Sequence, residues 1–192
     1  MADPPFFPDA QVRALARAFT AADVPYAFGG AIALMYAAEP RGTVDIDINL
    51  FLPESAAGRV LALVAALGAQ FDLAVARAEA FRTGQVRVRW GEVPIDLFFA
   101  YDPFHDSCAD RVRVADAEGE PICVLSPEDL VVFKVLFDRG KDWVDIDQLL
   151  SVQRAAFDAP YVRDWLSRML NPEDSRLIRL AELIEKYRQR SP

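Results

Sequence analysis

Asp45 and Asp47 sit at i and i+2 in Val44-Asp45-Ile46-Asp47-Ile48, an alternation of acid and aliphatic that fits a strand. On a strand such side chains share one face, with Cα atoms about 6.5–7 Å apart. Two carboxylates there repel each other unless water or a cation lies between them. Val44, Ile46 and Ile48 point to the other face and are expected to anchor the strand. Upstream, Phe28-Gly29-Gly30-Ala31-Ile32 reads as a strand end that turns through two glycines into a helix. A turn of that kind presents backbone N–H groups at a helix N-terminus, where phosphate can be held. A third acid, Asp96, is the only charge in Val93-Pro94-Ile95-Asp96-Leu97-Phe98-Phe99. On a sheet it must be paired, solvated or metal-bound. Oxygen donors suit a hard divalent cation, Mg²⁺ or in its place Mn²⁺. A phosphate cradle near acidic ligands points to chemistry on a nucleoside triphosphate, in which metal ions help to activate a hydroxyl and stabilise departing pyrophosphate.

Each of these residues also has a plainer reading. Gly29-Gly30 serves equally as a tight turn. Asp45 and Asp47 could be surface acids of an edge strand, and Asp96 a structural acid paired with Arg87 or Arg89. Lys134 lies in the apolar run Leu130–Phe137 and either snorkels to solvent or supplies a point charge to a triphosphate. Asp142 and Asp145, at i and i+3, share a helix face; they either charge that helix or hold Lys134. Arg41 and Thr43 either fix the loop before the acidic strand or touch phosphate. His105, the only histidine, has no nucleophile motif beside it and reads as a surface residue. The chain contains neither G-x-x-x-x-G-K-[ST] nor G-x-G-x-x-G, which removes P-loop and dinucleotide-binding readings.

The elements that would carry these residues follow from periodicity and punctuation. Asp9 to Phe19 has helical spacing, with Val12, Leu15 and Phe19 on one face. Pro25 to Phe28 is a short strand, Ala31 to Ala38 a short helix closed by Pro40, and Val44 to Leu50 the acidic strand. An Ala-rich helix over Ser55 to Leu67 and a further one over Ala74 to Phe81 precede a hairpin that turns at Gly91-Glu92. Asp102 to Asp110 reads as a loop or helical turn, and Arg111 to Ala115 with Pro121 to Leu125 as short strands. Ser126-Pro127-Glu128-Asp129 then gives an N-cap, a first-position proline and first-turn acids. Beyond it the pattern is helical, broken near Gly140, Pro160 and Pro172. The expected class is α/β (α+β): a mixed β-sheet with flanking helices over residues 1–125, then a C-terminal helical bundle over 126–192, possible also as one continuous domain.

The 192 residues are enough to bury a sizeable core. A formal charge of −8 argues against a broad nucleic-acid surface, and no DNA partner is expected. Arginines nonetheless cluster between Arg82 and Arg113 and again after Arg176; they are solvated faces or a groove for an RNA acceptor. No apolar run has membrane-helix length, the N-terminus lacks a basic leader, and the two cysteines form no C-x-x-C, so a cytoplasmic protein is expected.

Gly29-Gly30, Asp45-x-Asp47 and the later Asp96, in that order, resemble the nucleotidyltransferase superfamily that includes DNA polymerase β. Two segments, Arg41-x-Thr43-x-Asp45-x-Asp47 and Leu125-Ser126-Pro127-Glu128-Asp129-Leu130 followed by Lys134 and Arg139-Gly140-Lys141-Asp142-x-x-Asp145, are closest to the AbiEii-type and MenT-type toxin nucleotidyltransferases. The resemblance covers about residues 24 to 150. It implies a minimal nucleotidyltransferase core that transfers an NMP from an NTP to a hydroxyl. Asp45, Asp47 and Asp96 would be metal ligands, with Asp96 also eligible as base. Gly29, Gly30, Arg41, Thr43 and Lys134 would bind nucleotide, and Lys134 and Asp145 would join the acids as catalytic residues. It also implies a possible cognate antitoxin and an acceptor such as tRNA or protein. The alternative is a non-catalytic member that senses nucleotide or binds a partner.

Overall fold

Ile46, Ile48 and Leu50 alternate with Asp47 and Asn49, and Ile95, Leu97 and Phe99 alternate with Asp96 and Phe98. In the computed structural model, which describes residues 8–39 and 42–188, these two runs are parallel neighbours in one sheet. They pair Ile46 with Ile95, Ile48 with Leu97 and Leu50 with Phe99, and all six side chains are fully buried. Each such burial contributes roughly 1.5–3 kcal/mol. A one-residue slip would carry the whole set to the opposite face, so the apolar ladder fixes the register. The acids on the other face inherit that register.

Two units divide the described residues, one within residues 1–32 and 41–125, the other within 33–40 and 126–192. In the first, α1 (Asp9–Ala21) buries Val12, Leu15, Ala16 and Phe19, the helical stripe its spacing predicts. β1 (Tyr26–Phe28) leads to Gly29 and α2 (Gly30–Met35), which begins in this unit; β2 (Ile46–Leu50) follows. After a short 3₁₀ turn come α3 (Ala57–Ala66) and α4 (Leu73–Thr83). β3 (Gln85–Trp90) and β4 (Val93–Phe99) form the expected hairpin, and β5 (Arg113–Ala117) and β6 (Glu120–Val124) a second one. The sheet order is β3-β4-β2-β1-β6-β5, mixed in direction: β2 is parallel to β4 and β1 to β6, and the other neighbours are antiparallel.

Several expectations need correction. Asp45 and Val44 precede β2 rather than lying in it, and Val44 is exposed instead of anchoring the strand. The cause is local: Thr43 Oγ1 donates to Asp45 O at 3.1 Å and accepts from Asp45 N at 3.2 Å, a turn that keeps the chain out of the ladder until Ile46. α2 ends at Met35, well before Pro40, which lies outside the described residues with Arg41. Pro103 to Asp110 is a helix, α5, because Asp102 caps it by accepting from Phe104 N. His105 on α5 is buried, not at the surface, with its ring against Tyr101 and Phe104. Burial lowers its pKa below the usual 6.5.

The second unit holds α6 (Pro127–Phe137), α7 (Gly140–Gln153), α8 (Ala159–Met169) and α9 (Ser175–Arg188). Ser126 caps α6 by accepting from Asp129 N. The first-turn acids are not solvent-facing charges. Asp129 is fully buried, accepting from Ser126 Oγ at 2.5 Å and Tyr161 Oη at 2.6 Å, and buried Glu128 accepts from Asp158 N at 3.2 Å. These bonds tie the start of α6 to the start of α8.

Tyr161→Phe should therefore cost about 1–3 kcal/mol in a urea titration, since it removes a donor from a buried carboxylate. For His105, between its lowered folded pKa and 6.5 the unfolded chain binds a proton that the folded one does not. Stability should then be full above pH 6.5 and fall as the pH drops through that value. Tm measured against pH should show this loss in the native chain and a flatter profile in His105→Gln.

Candidate active site

The sheet register lines up three charges across neighbouring strands. Asp47 on β2 is opposite Asp96 on β4, and Asp96 is opposite Arg87 on β3. Arg87 forks onto Asp96, with Nε 2.7 Å from Oδ1 and Nη2 2.5 Å from Oδ2. Its Nη2 also lies 3.9 Å from Asp45 Oδ2, so the guanidinium faces two of the three acids at once. The hydrogen bonds it donates to Asp96, with added attraction from Asp45 and Asp47, raise the guanidinium's basicity further. Between the two pairings open to Asp96 the structure selects Arg87; Arg89 turns instead to Glu92, donating to its carbonyl at 2.9 Å. The Asp96 side chain is 16 % exposed, Asp45 35 % and Arg87 58 %, so the cluster opens to solvent on the Arg87 side.

The glycine turn is locked to the same strand. Gly29 N donates to Asp47 O at 2.9 Å. Gly30 has φ +50°, in the left-handed region, and a Cβ there would overlap Asp47 Oδ2 outright. A Cβ on Gly29 would come within 2.7 Å of Asn49 Nδ2. The second glycine is thus required twice, by its dihedral and by the carboxylate pressed against it. Asn49 is buried on the face it shares with Asp47, its amide against Gly29, and was not among the residues singled out above. Its signal was the polar residue at i+2 from Asp47 in an otherwise aliphatic strand.

Gly29, Gly30, Asp45, Asp47 and Asp96 are therefore brought together in the first unit, with Thr43 supporting Asp45 from behind. Among the described residues no three Asp, Glu, His or Cys side chains form a ready-made metal cage. Mg²⁺ characteristically takes one or two carboxylates and completes its shell with water and substrate phosphates. Asp47, against the glycine turn, and Asp45, both partly open, fit that donor set. Both oxygens of Asp96 are engaged by Arg87. Arg41, the remaining residue assigned to nucleotide, lies outside the described residues.

In the second unit Lys134 does not snorkel. Its Nζ is buried, 2.6 Å from Asp145 Oδ2 and 3.7 Å from Asp142 Oδ1, and both aspartates are buried with it. Asp142 also closes a capping box with Arg139, accepting from its backbone N at 3.1 Å and its Nε at 2.7 Å. Desolvation offsets much of what such a pair gains, but removing one partner would leave a buried charge and cost about 3–5 kcal/mol. Asp145 thus fixes Lys134, and Asp142 joins that pair to the first turn of α7.

Residues 13–189 match the model of a family described as nucleotidyl transferase AbiEii toxin, type IV toxin–antitoxin system. No curated protein matches the chain. Among solved structures, ANT(2'')-Ia in complex with adenylyl-2''-tobramycin is similar at a TM-score of 0.55 and 15 % identity, over 93 % of this chain and 98 % of that one. The lincosamide antibiotic adenylyltransferase LnuA, lincomycin-bound, gives 0.50 and 15 % over 70 % and 90 %. An antigenic nucleotidyltransferase-like protein from Paracoccidioides brasiliensis gives 0.50 and 15 % over 88 % and 91 %. At such identity these likenesses bear on the fold, a mixed sheet with flanking helices.

Gly30→Ala should destabilise the protein by about 2 kcal/mol or more, combining left-handed strain with the clash against Asp47. Thermal melts would register that loss. A variant as stable as the native chain would show that Asp47 does not sit against this turn.

Proposed function

The chain belongs to the AbiEii family of nucleotidyl transferases, and from that membership and the acidic face of its sheet we propose that it transfers a nucleoside monophosphate from an NTP to an acceptor hydroxyl with Mg²⁺ or Mn²⁺. The observation that carries this reading is the Asp47 carboxylate against Gly30, opposite Asp96 across the sheet, with Arg87 facing both Asp96 and Asp45. A divalent cation, when bound, supplies positive charge to the triphosphate and to the pyrophosphate that departs. Asp45 and Asp47 hold it, with Asp96 as third ligand or as base. Gly29 and Gly30 offer backbone contacts to the β- and γ-phosphates at the start of α2. The resemblance adds Arg41 and Thr43 to the nucleotide-binding residues.

The acceptor oxygen attacks the α-phosphorus in line. A new P–O bond forms, the bond to the bridging oxygen breaks, and pyrophosphate leaves with that electron pair. Asp96 is the group on this face suited to take the acceptor's proton. Lys134 is assigned to the triphosphate by its place in the family pattern, and within its own unit Asp145 orients the ammonium.

The family is one of toxins, so we further propose a cognate antitoxin as partner. The acceptor is a hydroxyl of RNA, of protein or of a small molecule. No helix among the described residues is long and apolar enough to cross a membrane, in keeping with a cytoplasmic enzyme.

The test is incubation with each α-³²P-labelled NTP, Mg²⁺ and a cell lysate containing total RNA. Label should enter one acceptor class and fall about 100-fold or more with Asp45→Ala/Asp47→Ala. Label that persists in the double variant would contradict the assignment of those aspartates. No label with any nucleotide would favour a non-catalytic, nucleotide-sensing member of the fold.

A further inference from the structure

Arg87 belongs to none of the motifs that identify this chain, yet it is the cation paired with Asp45 and Asp96 among the described residues. A bidentate fork uses one lone pair on each carboxylate oxygen, along the edge that a divalent cation would also approach. Arg87 therefore stands on the side of Asp96 that a metal would need. A guanidinium cannot lose its proton, so it leaves a carboxylate only by moving. Arg87 is free to move: its side chain is 58 % exposed and it springs from β3, an edge strand of the sheet.

We infer that Arg87 is a positioning residue that holds the cation's place on Asp96 in the nucleotide-free protein, so that Asp96 is withheld from the metal until the guanidinium is drawn away. In that state the metal is carried by Asp45 and Asp47 alone, and it binds weakly because Arg87 repels it. A nucleotide brings phosphate oxygens that can accept the same fork, which frees Asp96 at the moment substrate is in place. The inference rests on the metal site proposed above and adds an order of events to it.

The experiment is a Mn²⁺ titration of the nucleotide-free protein followed by electron paramagnetic resonance, which reads binding without turnover. The proteins compared are native, Arg87→Gln, Asp96→Asn and Arg87→Gln/Asp96→Asn, with circular dichroism to confirm folding. Arg87→Gln should bind Mn²⁺ about tenfold more tightly, the order expected for removing one positive charge near a divalent ion at the protein surface. Most of that gain should vanish when Asp96 is also replaced, because the two residues are coupled. Should Arg87→Gln fold poorly, Arg87→Lys, which keeps the charge but cannot fork, should still bind about two- to threefold more tightly. Unchanged or weaker Mn²⁺ binding in a folded Arg87 variant would overturn the inference and leave the metal site standing. No Mn²⁺ binding by any of the four would sink the metal site and the inference together.

Discussion

Like charges gathered on one face of a sheet must be held there by something stronger than their repulsion. In this protein the holding force is on the opposite face. Ile46, Ile48 and Leu50 bury against Ile95, Leu97 and Phe99, and any shift of register would expose all of them. The acids are thus imposed by the aliphatic ladder behind them. Repulsion between Asp47 and Asp96 is a small cost against that burial, and Arg87 offsets part of it by forking onto Asp96. The cluster opens to solvent on the Arg87 side.

The glycine turn depends on the same arrangement. Asp47 presses its carboxylate against Gly30, and Asn49 its amide against Gly29, so the loop and the strand set each other's position. A side chain on either glycine would push the loop off the strand and disturb the acid together with the backbone donors. The second unit follows a different logic. Its ion pairs are buried, with Lys134 enclosed by Asp145 and Asp142 and Asp129 bonded to Ser126 and Tyr161. Buried pairs contribute little net stability but penalise any alternative packing that parts them. Within this unit they hold Lys134 in one orientation.

Much of this was legible in the sequence because period-2 alternation carries face information. The placement of Asp47 and Asp96 on the face opposite the aliphatic ladder was readable, since each alternates with aliphatic neighbours on its strand. The hairpin at Gly91-Glu92 and the start of α6 at Ser126 were equally plain, for their turn and cap residues have few other uses. What escaped depended on side-chain contacts that exist only once the chain has folded. Val44 looked like a strand anchor, and only the Thr43 hydroxyl turn takes it out of the ladder. His105 looked exposed because its partners, Tyr101 and Phe104, meet it only once α5 forms. The choice of Arg87 over Arg89 for Asp96 required the β3–β4 register, which puts Arg89 two residue pairs further along, opposite Pro94. Asn49 was hidden by proximity to the more conspicuous acids.

The claim on which the account turns is that the face carrying Asp45 and Asp47 is where metal and nucleotide meet. The direct measurement is an anomalous-difference map from crystals grown with Mn²⁺ and a non-hydrolysable NTP analogue. The account predicts a peak bonded to the carboxylates of Asp45 and Asp47 and to triphosphate oxygens, with the phosphates against Gly29 and Gly30. Nucleotide bound elsewhere, or a Mn²⁺ peak that touches neither aspartate, would contradict it.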